Sequence, residues 1–322
     1  MNRISLASLV VIISSIAWAA LSFAQKPIKR PNRAAPPKFN PADFDGIFFT
    51  DALAQLQGQR PAPGDATPGR SNPNAMASST SPTSDSESTS ESANTSWKTL
   101  ISGSSIEDLV KESKLRIDGL ITTPAKFAAG GVIEARKEFT LLATLMAIIQ
   151  EYPEDIRWKH SAPYGRMIFA RTASNCKVGT QPVFNEAKLR TQDLNELLKG
   201  SKLSGQAETV SWEETSDRTP AMKILEWALR ENLSKLTASE KEFQQSKEEV
   251  KKYAELVAAY GLVLQQQGMS DSDDETYIEL SQSMTEAASM VVTATIAGDA
   301  ESARVAVGKI DQSCNKCHES YR

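Results

Sequence analysis

Cysteine and histidine are scarce in this chain: three and two in 322 residues. That scarcity excludes a disulfide-built scaffold and leaves little for a multi-ligand metal site. Aromatic residues make up only 7% of the sequence, and strand-like alternation is absent, so an all-β sandwich or barrel is excluded. Past the N-terminal segment, no run approaches the ~18 apolar residues of a membrane span. There is no excess of positive charge either. Forty acidic residues outnumber 36 basic ones, for a net charge of −4, which argues against nucleic acid as the main partner.

What the chain does have is a concentration. Two of its cysteines and one of its histidines fall within five positions, in "SCNKCHESYR" near the C-terminus. At this composition, Cys-x-x-Cys-His arises by chance in roughly one of 10⁴ shuffled chains. The spacing is the attachment signature of a c-type haem. Two thiols add across the porphyrin vinyl groups, and the adjacent imidazole ligates the iron. On a helix, Cys314 and Cys317 share one face, so both sulfurs can meet one macrocycle edge. A redox dithiol or half of a zinc site are the other readings. Zinc would need further ligands, and only His160 and Cys176 remain. His160, beside Pro163 and a charged segment, is expected at the surface, and Cys176 is expected as a buried thiol. The acidic run "SDSDDE" (270–275) lacks the spacing of a calcium loop and is expected to cap a helix.

Haem attachment by this route takes place outside the cytoplasm. Residues 1–24 have the form of a cleavable signal peptide: Arg3, an apolar run, and small residues at Ser22 and Ala24. No stable membrane span is expected after its removal. Residues 25–97 are Pro-rich, then Ser/Thr-rich, the composition of a disordered linker, with a short apolar segment at 44–56. Residues 98–205 and 206–322 read as two helical domains.

The second of these has the clearer pattern. Helices are expected over 219–236 (Thr219 as N-cap, Pro220 at the first helical position), 237–268 (Thr237/Glu240 capping box), 272–298 (opening on Ser272/Glu275 and ending at glycine) and 299–322 (Asp299 as N-cap). In the last, Ala303, Val307, Ile310, Cys314 and Cys317 recur at intervals of 4, 3, 4 and 3, the seam of a bundle helix. An internal repeat accompanies this pattern. "LLATLMAII" (141–149) parallels "LVAAYGLVL" (256–264), residues 184–198 parallel 299–314, 105–120 match 219–236, and Trp158 falls where Tyr277 does. At Leu198, Ser201 and Lys202, where the attachment residues would fall, the first copy has nothing to bind a porphyrin.

Four helices ending in "SCNKCHESYR" resemble the cytochrome c′ family of class II c-type cytochromes. The resemblance covers residues 219–322 and, more loosely, 104–200. It implies an all-α, antiparallel four-helix bundle holding one haem c per chain, preceded here by a degenerate haemless copy. Cys314 and Cys317 would form the thioethers, His318 would be the axial iron ligand, and Arg322 would approach the proximal side. Only four residues follow His318 in the sequence, and none is Met or His, so a sixth ligand must come from upstream. Met222, Leu225 and Leu229 are the candidates for the distal face, with Leu264, Tyr277 and Ile278 completing the walls. With Met222 placed in a fraying first turn, the expectation is five-coordinate iron facing Leu225 or Leu229. The functions implied are electron transfer with a redox partner protein or, alternatively, binding of a small gas such as NO or CO. No catalytic constellation is recognisable, so a non-enzymatic role is expected. The extra copy leaves open whether the chain forms a homodimer.

Overall fold

The computed structural model describes residues 97–321. The expected signal peptide, nearly all of the expected linker, the apolar segment at 44–56 and Arg322 lie outside the described residues. The linker boundary shifts by one residue: Trp97 is fully buried, donates from Nε1 to Glu151 (3.0 Å), and packs 5.7 Å from Trp212.

Every regular element among the described residues is helical. Among the described residues, the eight longest α-helices form two successive sets of four. The first set is α1 (Gly103–Leu120), α2 (Val132–Glu151), α3 (Ala162–Asn175) and α4 (Gln181–Leu198). The second is α5 (Arg218–Glu226), α6 (Lys247–Val263), α7 (Glu275–Ala297) and α8 (Ala300–Ser320). After α5 the helix continues through a π-helical segment, Trp227–Leu233, into Ser234–Leu236. The two sets share one core, so the helices before and after residue 206 are not two separately packed bodies.

The two segments matched in the repeat explain why. Residues 140–149 of α2 and 252–261 of α6 are buried on every side. A helix that is apolar all round needs cover all round, and each set supplies cover to the other. Packing is reciprocal: α1 lies against α6 and α2 against α5, while the Tyr260 hydroxyl on α6 meets Thr144 Oγ1 on α2 at 3.3 Å. Exchange of equivalent helices is the contact pattern of a two-fold pair, formed here within one chain.

Local chemistry moves several expected boundaries. Asp217, rather than Thr219, caps α5, accepting from the Thr219 amide at 3.0 Å. Pro220 sits at the third helical position, where its missing N–H still costs no intrahelical bond. The single helix expected over 237–268 is interrupted. Ser239 caps a short piece, Glu240–Gln245, and α6 begins after the non-helical Ser246. Asp274 rather than Ser272 caps α7, and α7 ends at Gly298 with φ 73°, a left-handed cap that favours glycine. α8 starts at the expected Asp299 cap. In the first set, α4 stops at Leu198, so Ser201 and Lys202 come after the helix end and share no helical face with Leu198.

Candidate haem site

α8 carries the motif, and its amphipathic spacing decides what the motif faces. Ala303, Val307 and Ile310 are buried against the bundle, and Cys314 and Cys317 continue that stripe, half-buried. His318, one position on, is exposed at its residue surface yet borders the same cavity as the two cysteines. That cavity encloses about 290 Å³. Met222, Leu225 and Leu229 form its wall on the α5 side, with Leu264 from the end of α6 and Leu280 and Met284 from α7. The three residues proposed for the distal face therefore gather opposite the motif. Tyr277 and Ile278, expected in the walls, do not border the cavity; Leu280, Ser281 and Met284, one turn further along α7, take their place.

α5 and α8 run antiparallel, and two contacts set their register. At one end Arg230 forms an ion pair with Asp311. At the other, Arg218 lies near enough to Cys317 to act on its thiol, and stacks over Tyr277 (5.1 Å), whose ring meets Tyr321 edge-on at 5.2 Å. Between these ends, Met222, Leu225 and Leu229 border the cavity together with Cys314, Cys317 and His318.

The start of α5 is firmly held. Asp217 pairs with Arg136 (2.7 Å) and Arg218 with Asp271 (2.6 Å), and a short capped helix, Trp212–Thr215, precedes it. Met222 is the fifth residue of this anchored helix, in its second turn. Sequence reasoning placed it in a fraying first turn because the Asp271 and Arg136 partners come from distant segments.

The electrostatics bear on the rival readings of Cys-x-x-Cys. Burial pushes the Cys314 thiol up to about 11; the Asp311 and Cys317 charges add to this and Arg230 opposes it. Burial also raises Cys317, with Arg218 pulling the other way. Both thiols are neutral near pH 7, unlike the activated thiolate of a redox dithiol. Nor do zinc donors converge. No group of three or more His, Cys, Asp or Glu side chains is arranged to hold a metal among the described residues. His160 is exposed on the turn before α3, and Cys176 is buried at the end of that helix. The acidic segment acts as anticipated, with Asp274 capping α7. Two neutral thiols on one helix face, an adjacent imidazole and an apolar wall opposite fit a covalently attached haem.

Residues 213–322 match the protein family described as Cytochrome C'. The match supports a cytochrome c′ assignment for this segment. The match takes in α5 to α8 and stops short of the first four helices, which hold no Cys-x-x-Cys-His. No curated protein and no solved structure matches the chain. The cytochrome c′ family binds haem c, and the all-helical fold and the Cys314/Cys317/His318 motif agree with that assignment. Among the described residues, no helix is long and apolar enough to cross a membrane.

Proposed function

We propose that this protein is an exported, non-enzymatic electron carrier that attaches one haem c through Cys314 and Cys317, ligates its iron through His318, and offers Met222 as the second axial ligand. The observation that supports the reading is that Met222 borders the same cavity as Cys314, Cys317 and His318, on a helix whose start is anchored by the Arg218–Asp271 ion pair. Met284 is the other thioether bordering the cavity. On the antiparallel α7 the Lys309–Met290 contact sets it level with Asn315, just under a turn from His318, so the Met284→Leu variant is the control for it. When bound, the haem supplies a one-electron iron couple, and thioether ligation favours electron transfer over binding of exogenous ligands.

The chain's own residues shape the rest. Leu225, Leu229, Leu264 and Leu280 keep water from the cofactor face, and Arg230 and Asp311 close the gap between α5 and α8 at the far end. The same apolar wall supports a second reading, five-coordinate iron binding a small neutral gas. Optical spectra separate the two. Electron transfer with His318/Met222 ligation predicts low-spin ferrous haem that binds CO slowly, turning high-spin and CO-reactive in Met222→Leu but not in Met284→Leu. A wild-type protein that is already high-spin, with Met222→Leu unchanged, refutes Met222 ligation and selects the gas-binding reading.

A further inference from the structure

The wall opposite the motif has a back as well as a front. Leu229 faces the cavity, whereas Trp227, two residues earlier in the same π-helical segment, faces the first four helices. A π turn holds one residue more than an α turn, and each added residue rotates the downstream helix by about 100°. Leu229 and Arg230, inside this segment, continue the cavity lining begun by Met222, Lys223, Leu225 and Glu226 on α5. Such segments are rare and persist where surrounding contacts over-determine them. Here Asn232 Nδ2 donates to the Trp227 carbonyl at 3.0 Å. Tyr253 meets the Trp227 ring edge-on at 5.2 Å.

The remaining support comes from the upstream half. The Arg116 guanidinium on α1 stacks over Trp227, 4.4 Å from the ring centroid, and the Lys137 ammonium lies at 5.9 Å. Arg116 is held from behind. Its Nε donates to Glu138 Oε1 at 2.8 Å, and Glu138, only 1% exposed, also accepts from Ser113 Oγ at 2.9 Å. Glu112 lies 3.5 Å from Arg116 and pairs with Lys252 of α6. Arg116 Nη2 is buried with no hydrogen-bond partner. A guanidinium whose edge is held by carboxylates and whose face lies on an indole is a fixed cation–π contact.

We infer that the upstream half positions the cofactor wall of the segment that matches cytochrome c′, with Arg116 clamping Trp227 and so fixing the π segment that presents Leu229 and Arg230. Arg116 is a positioning residue acting through Trp227. The inference rests on the haem-binding reading of the cavity but not on Met222 ligation. Whichever ligand occupies the far side of the iron, access to it passes this wall.

The test uses haem-loaded, full-length protein and reads the CO association rate of the ferrous form and its spin state. Trp227→Leu removes the ring. Arg116→Ala, combined with Glu138→Gln so that no buried carboxylate is stranded, removes the clamp. Each is expected to raise the CO association rate by about three- to tenfold, the range a lost half-buried cation–π contact translates to. Arg116→Lys, which keeps a cation but loses the planar guanidinium that stacks on the indole, is expected to fall between wild type and the two clamp variants. Ser102→Ala, which breaks a different inter-half contact to Glu255 (2.7 Å), should lower the melting temperature without changing the rate. Unchanged CO kinetics in whichever of the two clamp variants folds overturns the inference, as does an equal rate increase in Ser102→Ala. Were the wild type high-spin, Met222 ligation would fail while the rate comparison still decided the clamp.

Discussion

Replacing Gly261 by alanine tests how α6 and α7 are joined. A Cβ at this position would overlap Thr285 Oγ1 outright, and would lie 3.2 Å from Thr285 Cβ and 3.0 Å from the Ser281 carbonyl oxygen. The hydroxyl cannot simply swing away, because it donates to Ser281 O at 3.1 Å and also sits 3.4 Å from Ala258 O. Two effects compete. Glycine in a helix interior costs about 1 kcal/mol relative to alanine, so the substitution gains that much from backbone propensity. Overpacking of a close helix crossing costs about 1–3 kcal/mol, and the backbone oxygen cannot relieve its share by rotating. The expected net effect is a loss of about 1 kcal/mol, or a melting temperature lower by about 2–4 °C for a unit of this size. Gly261→Ala/Thr285→Ala removes the hydroxyl and should recover most of the loss, giving a coupling of about 1 kcal/mol in a double-mutant cycle. Thermal and urea unfolding followed by far-ultraviolet dichroism measures each variant. If Gly261→Ala is as stable as wild type, or the double variant recovers nothing, the close crossing is not where the structure puts it.

Two further outcomes concern chemistry. The loaded protein should carry the mass of one haem through acid–acetone extraction, and Cys314→Ala/Cys317→Ala should release it; two haems per chain would contradict a haemless upstream half. In the same sample no thiol should react with an aromatic disulfide until denaturant is added, and then one. Cys176 is 1% exposed, and burial, with Glu186 adding and Arg136 opposing, pushes it up to about 12. The third is a pH dependence. Burial raises the Glu151 carboxyl above its ordinary 4.5, against the Trp97 hydrogen bond and the Arg166 charge. The folded state therefore holds this proton more tightly than the unfolded state, and the resulting stability is lost as pH rises from about 4.5 through the raised value. Glu151→Gln, which still accepts from Trp97, should gain stability relative to wild type as pH rises from 4 to 7; a constant difference would remove Glu151 as the source.

The helices, the capping of α8 and the gathering of Met222, Leu225 and Leu229 opposite the motif were legible because they arise from local spacing. Amphipathic period places Cys314 and Cys317 on the seam, and antiparallel connection brings the start of α5 beside the end of α8. The features that were not legible depend on distant partners. Asp271 and Arg136 anchor α5 and move Met222 from a frayed turn to a firm one. Trp227 gives no sign in the sequence of the π segment around it, since that distortion is held by Arg116, over a hundred residues upstream. Tyr277, expected to wall the cavity, instead braces Tyr321 and Arg218, and nothing in its own helix distinguishes the two roles. The break at Ser246 was missed because the charged run around it is compatible with continuous helix.

The glycine contact between α6 and α7 also bears on how the cofactor chamber moves. Leu264 belongs to the end of α6 and Leu280 and Met284 to α7, so the rear of the chamber is carried by two helices that touch almost backbone to backbone. α5 and α8 meet more sparingly, and the half-buried Arg230–Asp311 ion pair spans them. The chamber is thus closely packed at the rear and sparsely joined at the front, where a pair of charges that salt partly screens spans the gap. Solutes entering by the α5–α8 seam would meet a latch that ionic strength loosens, beside a wall that the Arg116–Trp227 contact holds in place.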